Sequence, residues 1–211
     1  MTVGSLQRRA LGGVVLAALL GFASAAVAGT TLKTTVVKSA GVSFKYPGSW
    51  TTLARDPKAL AAQQRQLAKH NPKIALNAAQ QAQFLQSAKF RAVDIQEAAA
   101  GRFASNVSVQ VVDQGGFPTS LDEFTAGARP EYNQEGLSLV GTSSVPVRGA
   151  TAYRADARAT VTVPDGRTLA TRVSQLFIPR NAGNVTITVA TSDDAAGTQL
   201  IDAILGSVRR L

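Results

Sequence analysis

Two periodicities divide the chain. Val42, Phe44 and Tyr46 alternate with Ser43 and Lys45, the two-residue period of a strand with one buried face. Val107, Val109 and Val111 repeat that period within 106–112, and further strands are read at 33–38, 90–96, 137–141, 145–148, 151–163, 167–179 and 184–191. Pro164-Asp165-Gly166 and the run 181–184 are turn formers at hairpin spacing, so the last strands pair as an antiparallel meander. Helical signals interrupt this order three times. From Asp56 to Ala88 the chain is rich in Ala, Gln and Leu and lacks Gly, with Asn71 as a cap and Pro72 at a first helical position, which predicts a helical hairpin. Its apolar stripe is thin (Leu60, Leu67, then Ile74, Leu76, Phe84 and Leu85), so peripheral packing is expected. Ser120 and Glu123 have capping-box spacing, and Gly127 with Pro130 predicts a kink or restart near Arg129. A last helix from about Asp193 carries the stripe Leu200, Ile201, Ile204, Leu205 and Val208, with Arg209 and Arg210 at its negative end.

The stretch "GVSFKYPGSW", 41–50, fixes how the first strand ends. Pro47 cannot donate to a ladder and Gly48 permits a positive dihedral, so the chain reverses and brings Trp50 back over the face lined by Phe44 and Tyr46. These aromatics read as a core seam; a stacking platform is the competing reading. Antiparallel strands with helices inserted at the front, middle and end give an α+β fold, an antiparallel sheet flanked by helices. That stretch, the central helix after "FASNVSVQVV", the meander and the helix ending "AILGSVRRL" resemble the PsbP-like, Mog-type α/β/α sandwich superfamily, in particular its exported bacterial members, over most of 33–211. The signature residues are Phe44, Tyr46, Pro47 and Trp50; the hairpin at 56–88 is longer than the family pattern. The resemblance implies an accessory or adaptor module that binds a partner such as a photosystem, a small GTPase or a secreted effector, with no shared catalytic centre.

The N-terminus is read apart from the fold. Arg8 and Arg9 precede an uncharged run from Ala10 to Leu32, and Ala26-Val27-Ala28 is an A-x-A cleavage signature. Residues 1–28 are therefore read as a secretory signal peptide and 29–211 as one domain. A retained single-span anchor competes, because about 20 apolar residues span a bilayer. The arginine pair fits twin-arginine export as well as the general route. With no cysteine in the chain, neither a disulfide framework nor a lipid-modified cysteine is available to an exported protein.

Charge changes the picture further. The chain carries 22 Lys and Arg against 13 Asp and Glu, a net +9. The excess is uneven: 33–102 holds 11 basic residues against Asp56, Asp94 and Glu97, whereas 103–211 holds 9 against 10 acids. A basic first half points to an anionic partner, whether membrane surface, wall polymer or acidic protein. The candidate patch is Arg55, Lys58, Arg65, Lys69 and Lys73 at the exposed hairpin. Nucleic acid is not expected, because export and the lack of aromatic–basic interleaving oppose it.

Candidate chemistry subtracts more than it adds. There is no thiol, no G-x-S-x-G elbow and no glycine-rich phosphate loop. His70 is the lone imidazole and sits where a cation complements a helix dipole. The adjacent acids Asp122-Glu123 and Asp193-Asp194 fall at helix starts, so capping accounts for them, and neither a metal nor a cofactor is expected. The sequence thus reads as an exported, non-enzymatic binding or adaptor module of the cell envelope or extracellular space, with peripheral membrane contact among its options. The alternative is a hydrolase assembled from dispersed Ser and Asp with His70.

Overall fold

The computed structural model describes residues 30–70, 88–100, 102–112, 116–162, 167–181 and 183–211. The leader expected at 1–28, the second arm of the expected hairpin with Asn71-Pro72, and the turn expected at Pro164-Asp165-Gly166 lie outside them. In chain order the elements are β1 (Leu32–Val37), β2 (Val42–Pro47), β3 (Thr51–Thr52), α1 (Pro57–His70), β4 (Ala88–Val93), α2 (Ile95–Ala99) and β5 (Asn106–Val112). There follow α3 (Leu121–Gln134), β6 (Ser138–Val147), β7 (Ala150–Thr162), β8 (Thr168–Arg180), β9 (Gly183–Ser192), α4 (Ala195–Gly206) and β10 (Arg209–Arg210).

The strands form two antiparallel sheets, a small one ordered β1-β2-β10 and a large one ordered β3-β4-β5-β9-β8-β7-β6. Because side chains alternate across a strand, each face of the large sheet has its own core. One core joins Val107, Val109, Leu176, Ile178, Val185, Ile187 and Val189 to Val42, Phe44, Tyr46 and Trp50 of the small sheet and its turn, and to Ile201, Ile204, Leu205 and Val208 around α4. The other joins Tyr153, Ala155, Ala157, Val173 and Phe177 to Phe124, Ala128 and Tyr132 of α3. The result is a layered α+β sandwich: small sheet and α4, then the large sheet, then α3.

Several local expectations are corrected. The turn after Pro47 uses no positive φ at Gly48; the glycine is instead crowded, its N–H donating to Thr31 O at 2.8 Å and a Cβ meeting that oxygen at 3.3 Å. The left-handed residue is Gly41, φ 63°, which closes the β1–β2 link. The strand expected over 90–96 stops at Val93, because Asp94 accepts from the N–H groups of Gln96 and Glu97, each at 3.1 Å, and starts α2. The two strands expected at 137–141 and 145–148 are one, β6, with a bulge between Leu139 and Gly141. Arg209 and Arg210 form an edge strand on β2, although the Arg209 guanidinium still donates to Gly206 O at 3.1 Å at the α4 terminus.

Helix α3 runs through Pro130 without a restart. Proline deprives the carbonyl four residues earlier of its donor; Ala126 and Pro130 are both exposed, so that carbonyl is not forced to go unpaired in the core. Its start departs from a full capping box. Ser120 Oγ accepts from Glu123 N at 3.1 Å, but Glu123 reaches Thr119, accepting from its N–H at 2.7 Å and its hydroxyl at 2.9 Å.

On the same helix Glu131 is half-buried, and burial pushes its carboxyl up to about 7. A carboxyl raised in the folded state stabilises most below its unfolded value near 4.5, and that contribution is lost as pH rises through about 7. Glu131→Gln is accordingly expected to melt higher than the parent at pH 8, by an equivalent of about 1 kcal/mol, and to gain nothing at pH 5. Parallel thermal melts at the two pH values check it; an equal gain at both removes the burial argument.

Candidate interaction surface

Helix α1 is assembled locally and fastened at two points. The Asp56 carboxylate accepts from Ala59 N at 2.7 Å, and Pro57 occupies the first position, where its missing N–H leaves nothing unpaired. Leu60, 4% exposed, is the apolar anchor in a small cluster with Leu53, Val93 and Ala104. Gln63 is the polar one: Oε1 accepts from Ala54 N at 3.0 Å and Nε2 donates to Thr52 O at 2.9 Å. That primary amide takes the place of a further strand against β3, the terminal strand of the large sheet. An open edge is thereby covered, and α1 is held at the rim of the sheet.

This fastening sets where the cations go. With about 100° per residue, Lys58 and Arg65, seven apart, share one face, and Leu60 lies about 200° from Lys58 on the opposite one. Arg55, Lys58 and Arg65 are exposed. Lys69 falls on the same helix, and Lys73 lies outside the described residues. His70 closes α1.

Most of the acids that meet arginines or cap helices lie in the body of the fold. Arg102 pairs with Glu97, Arg154 bridges Asp156 at 2.9 Å and Asp202 at 2.7 Å, and Asp193 takes Arg158 at 2.8 Å and Arg172 at 3.2 Å. Asp94 and Asp194 cap α2 and α4. No carboxylate among the described residues lies within ion-pairing distance of Arg55, Lys58 or Arg65. Only Asp56 supplies negative charge anywhere before Asp94, and it is spent on the α1 start. The three cations therefore present a net positive potential to solvent.

The signature residues occupy a different place. Phe44, Tyr46 and Trp50 are 1%, 4% and 3% exposed; Phe44 and Tyr46 form a ring cluster with Phe90, and Trp50 Nε1 donates to Asp94 Oδ2 at 3.2 Å. None is available to stack on a ligand from solvent.

Sequence reasoning missed a buried polar seam between α3 and the sheet. The Tyr132 hydroxyl donates to Gln175 Oε1, whose amide donates on to Thr188 Oγ1 at 3.1 Å. Arg91 and Ser108 continue that row across β4 and β5, and burial lowers the Arg91 guanidinium to about 10, leaving it charged at neutral pH. Gln175 and Thr188 stand in strands whose local pattern is apolar; only the cross-strand register shows that they meet.

Among the described residues no three His, Cys, Asp or Glu side chains stand close enough to hold a metal ion, and no helix is long and apolar enough to cross a membrane.

The fold is PsbP-like. The solution structure of cyanobacterial PsbP from Synechocystis superposes with a TM-score of 0.50 at 14% identity, over 90% of this chain and 99% of that one. The Ran-binding protein Mog1p of Saccharomyces cerevisiae gives 0.49 at 8% identity, over 86% and 96%. LpqN of Mycobacterium tuberculosis, involved in cell envelope biogenesis, gives 0.45 at 14% identity over 86% of each chain. No family model matches the chain, and no curated protein matches it in sequence.

Proposed function

We propose that this protein is an exported, non-enzymatic binding module of the cell envelope or extracellular space, and that it engages an acidic protein or an anionic wall polymer through Arg55, Lys58 and Arg65, with Lys69 and Lys73 extending the patch. The observation that carries this is the contrast in ion pairing. Arg102, Arg154, Arg158 and Arg172 hold carboxylates, whereas Arg55, Lys58 and Arg65 have none within ion-pairing distance among the described residues. Residues 1–28 act as its export signal, and 29–211 form the working domain with α1 as the start of an inserted arm. A row of like charges without counter-ions costs stability through self-repulsion and gains it back only when an anion arrives.

The triple variant Arg55→Gln, Lys58→Gln, Arg65→Gln tests the patch. These side chains are exposed, so its stability should stay within about 0.5 kcal/mol of the parent. Binding to anionic wall polymer or to an acidic envelope protein, followed by sedimentation or interferometry, should weaken by at least about tenfold and lose its dependence on salt. Equal affinity and an equal salt slope in parent and variant would falsify the patch.

A further inference from the structure

A second cationic surface lies on the far side of the small sheet, and we propose that it docks on an anionic lipid bilayer. In β2 the residues Val42, Phe44 and Tyr46 point into the core, so Ser43 and Lys45 point outward. Cross-strand partners share a side: Val36 and Arg209 flank Ser43, and Thr34 stands opposite Lys45. Leu211, two residues past Arg209, is fixed to the same sheet by its N–H donating to Gly41 O at 3.0 Å. Lys45 and Arg209 are exposed there, and Lys38 is exposed in the turn that links β1 to β2. Val36 at 52% and Leu211 at 66% are two of the three exposed large apolar side chains among the described residues. Lys33, by contrast, is turned inward over the Tyr46 ring.

Charge complementarity and size select the occupant. No Asp or Glu occurs from Met1 to Arg55 or after Asp202, so the charged side chains of both segments that build this sheet are all basic. Two six-residue strands with the two-residue β10 beside them cover at most roughly 14 Å by 20 Å, about 300 Å², well short of the roughly 800 Å² per partner of a specific protein interface. A bilayer sets no such minimum, because each Lys or Arg near anionic headgroups adds its own increment and small apolar side chains enter the interfacial zone. The sheet also begins at Leu32, the last residue of the uncharged stretch that opens at Ala10. Bilayer docking would leave the α1 cations to the partner proposed above, and it stands or falls separately from them.

The chain from Gly29 onward carries every described strand and helix, and is the material for the test. Co-sedimentation with phosphatidylcholine vesicles, with and without phosphatidylglycerol, should show binding only to the anionic set and its loss at about 0.5 M salt. Lys38→Glu with Lys45→Glu, whose side chains make no described contact, should weaken binding by roughly thirtyfold or more, and Val36→Ser by a few-fold. The α1 triple variant should bind vesicles as the parent does. Parent-like vesicle binding by the Lys38/Lys45 variant, equal binding to neutral vesicles, no binding at all, or loss of binding in the α1 variant would each overturn the assignment.

Discussion

Gly197→Ala is expected to cost the fold about 2–4 kcal/mol. The added Cβ would stand 2.1 Å from the backbone oxygen of Ser192 and 2.7 Å from Thr191 Oγ1. The first obstacle is main chain and the second is a fully buried residue, so neither can swing aside as the end of a flexible side chain would. Relief requires the first turn of α4 to lift off the end of β9. That movement breaks the cap in which Asp194 Oδ1 accepts from Gly197 N at 2.6 Å, worth about 1 kcal/mol. It also displaces Ile201, Ile204 and Leu205 from the core they seal, adding an overpacking strain of about 1–3 kcal/mol. Against a total stability on the order of 10 kcal/mol, a melting point lower by about 10 °C is expected. Gly206→Ala, on the same helix with nothing within 4 Å of its Cβ, is the control and should be neutral or stabilising by up to about 1 kcal/mol. Denaturant unfolding of the two variants decides the matter; similar midpoints would show that the α4 entry has slack that the close approach denies.

That close approach also shows where sequence reasoning stops. The stripe Ile201, Ile204, Leu205 and Val208 and the cap at its start are local patterns, and α4 was legible from them. Nothing in "DDAAGTQL" announces that the glycine touches β9. The same division holds elsewhere. Strands β7, β8 and β9 were legible because burial on their faces forces long apolar or alternating runs bounded by turn residues. The sequence shows β6 as two strands because it is the sheet's outer strand: Ser143 and Ser144 face solvent, so polarity there carries no strand signal. Arg209 and Arg210 look in the sequence like charges at a helix end, because their pairing with Ser43 and Val42 spans most of the chain.

The α1 surface divides in the same way. An excess of Lys and Arg over acids is a one-dimensional quantity, so the basic character of Arg55, Lys58 and Arg65 was legible. The device that aims it was not. Gln63 is one of many glutamines between Asp56 and Ala88, and only the backbone of Thr52 and Ala54 singles it out. A helix whose buried side chain is chiefly Leu60 depends on such a latch for its direction, which makes the orientation of the cations a property of the sheet edge rather than of the helix.

Phe44→Ala, finally, is expected to destabilise by about 3–5 kcal/mol. Its ring is 1% exposed and packs edge-on to Phe90 at a centroid separation of 5.4 Å and beside Tyr46 at 6.1 Å. Removing it deletes the transfer energy of an aromatic side chain and leaves a cavity between the small sheet and the large one, where close packing lets neighbours relax only partly. Phe44→Leu, which keeps most of the volume, should cost about 1–1.5 kcal/mol. The expected ratio between the two carries the argument: a stacking platform facing solvent would give losses below about 0.5 kcal/mol for both, whereas a seam between sheets makes the loss scale with the void. Because β2 holds β1 and β10 to the rest of the fold, the alanine variant should also loosen the face that bears Val36, Lys45 and Arg209. Vesicle binding would then fall together with thermal stability in Phe44→Ala, and in Lys38→Glu with Lys45→Glu it would fall without it.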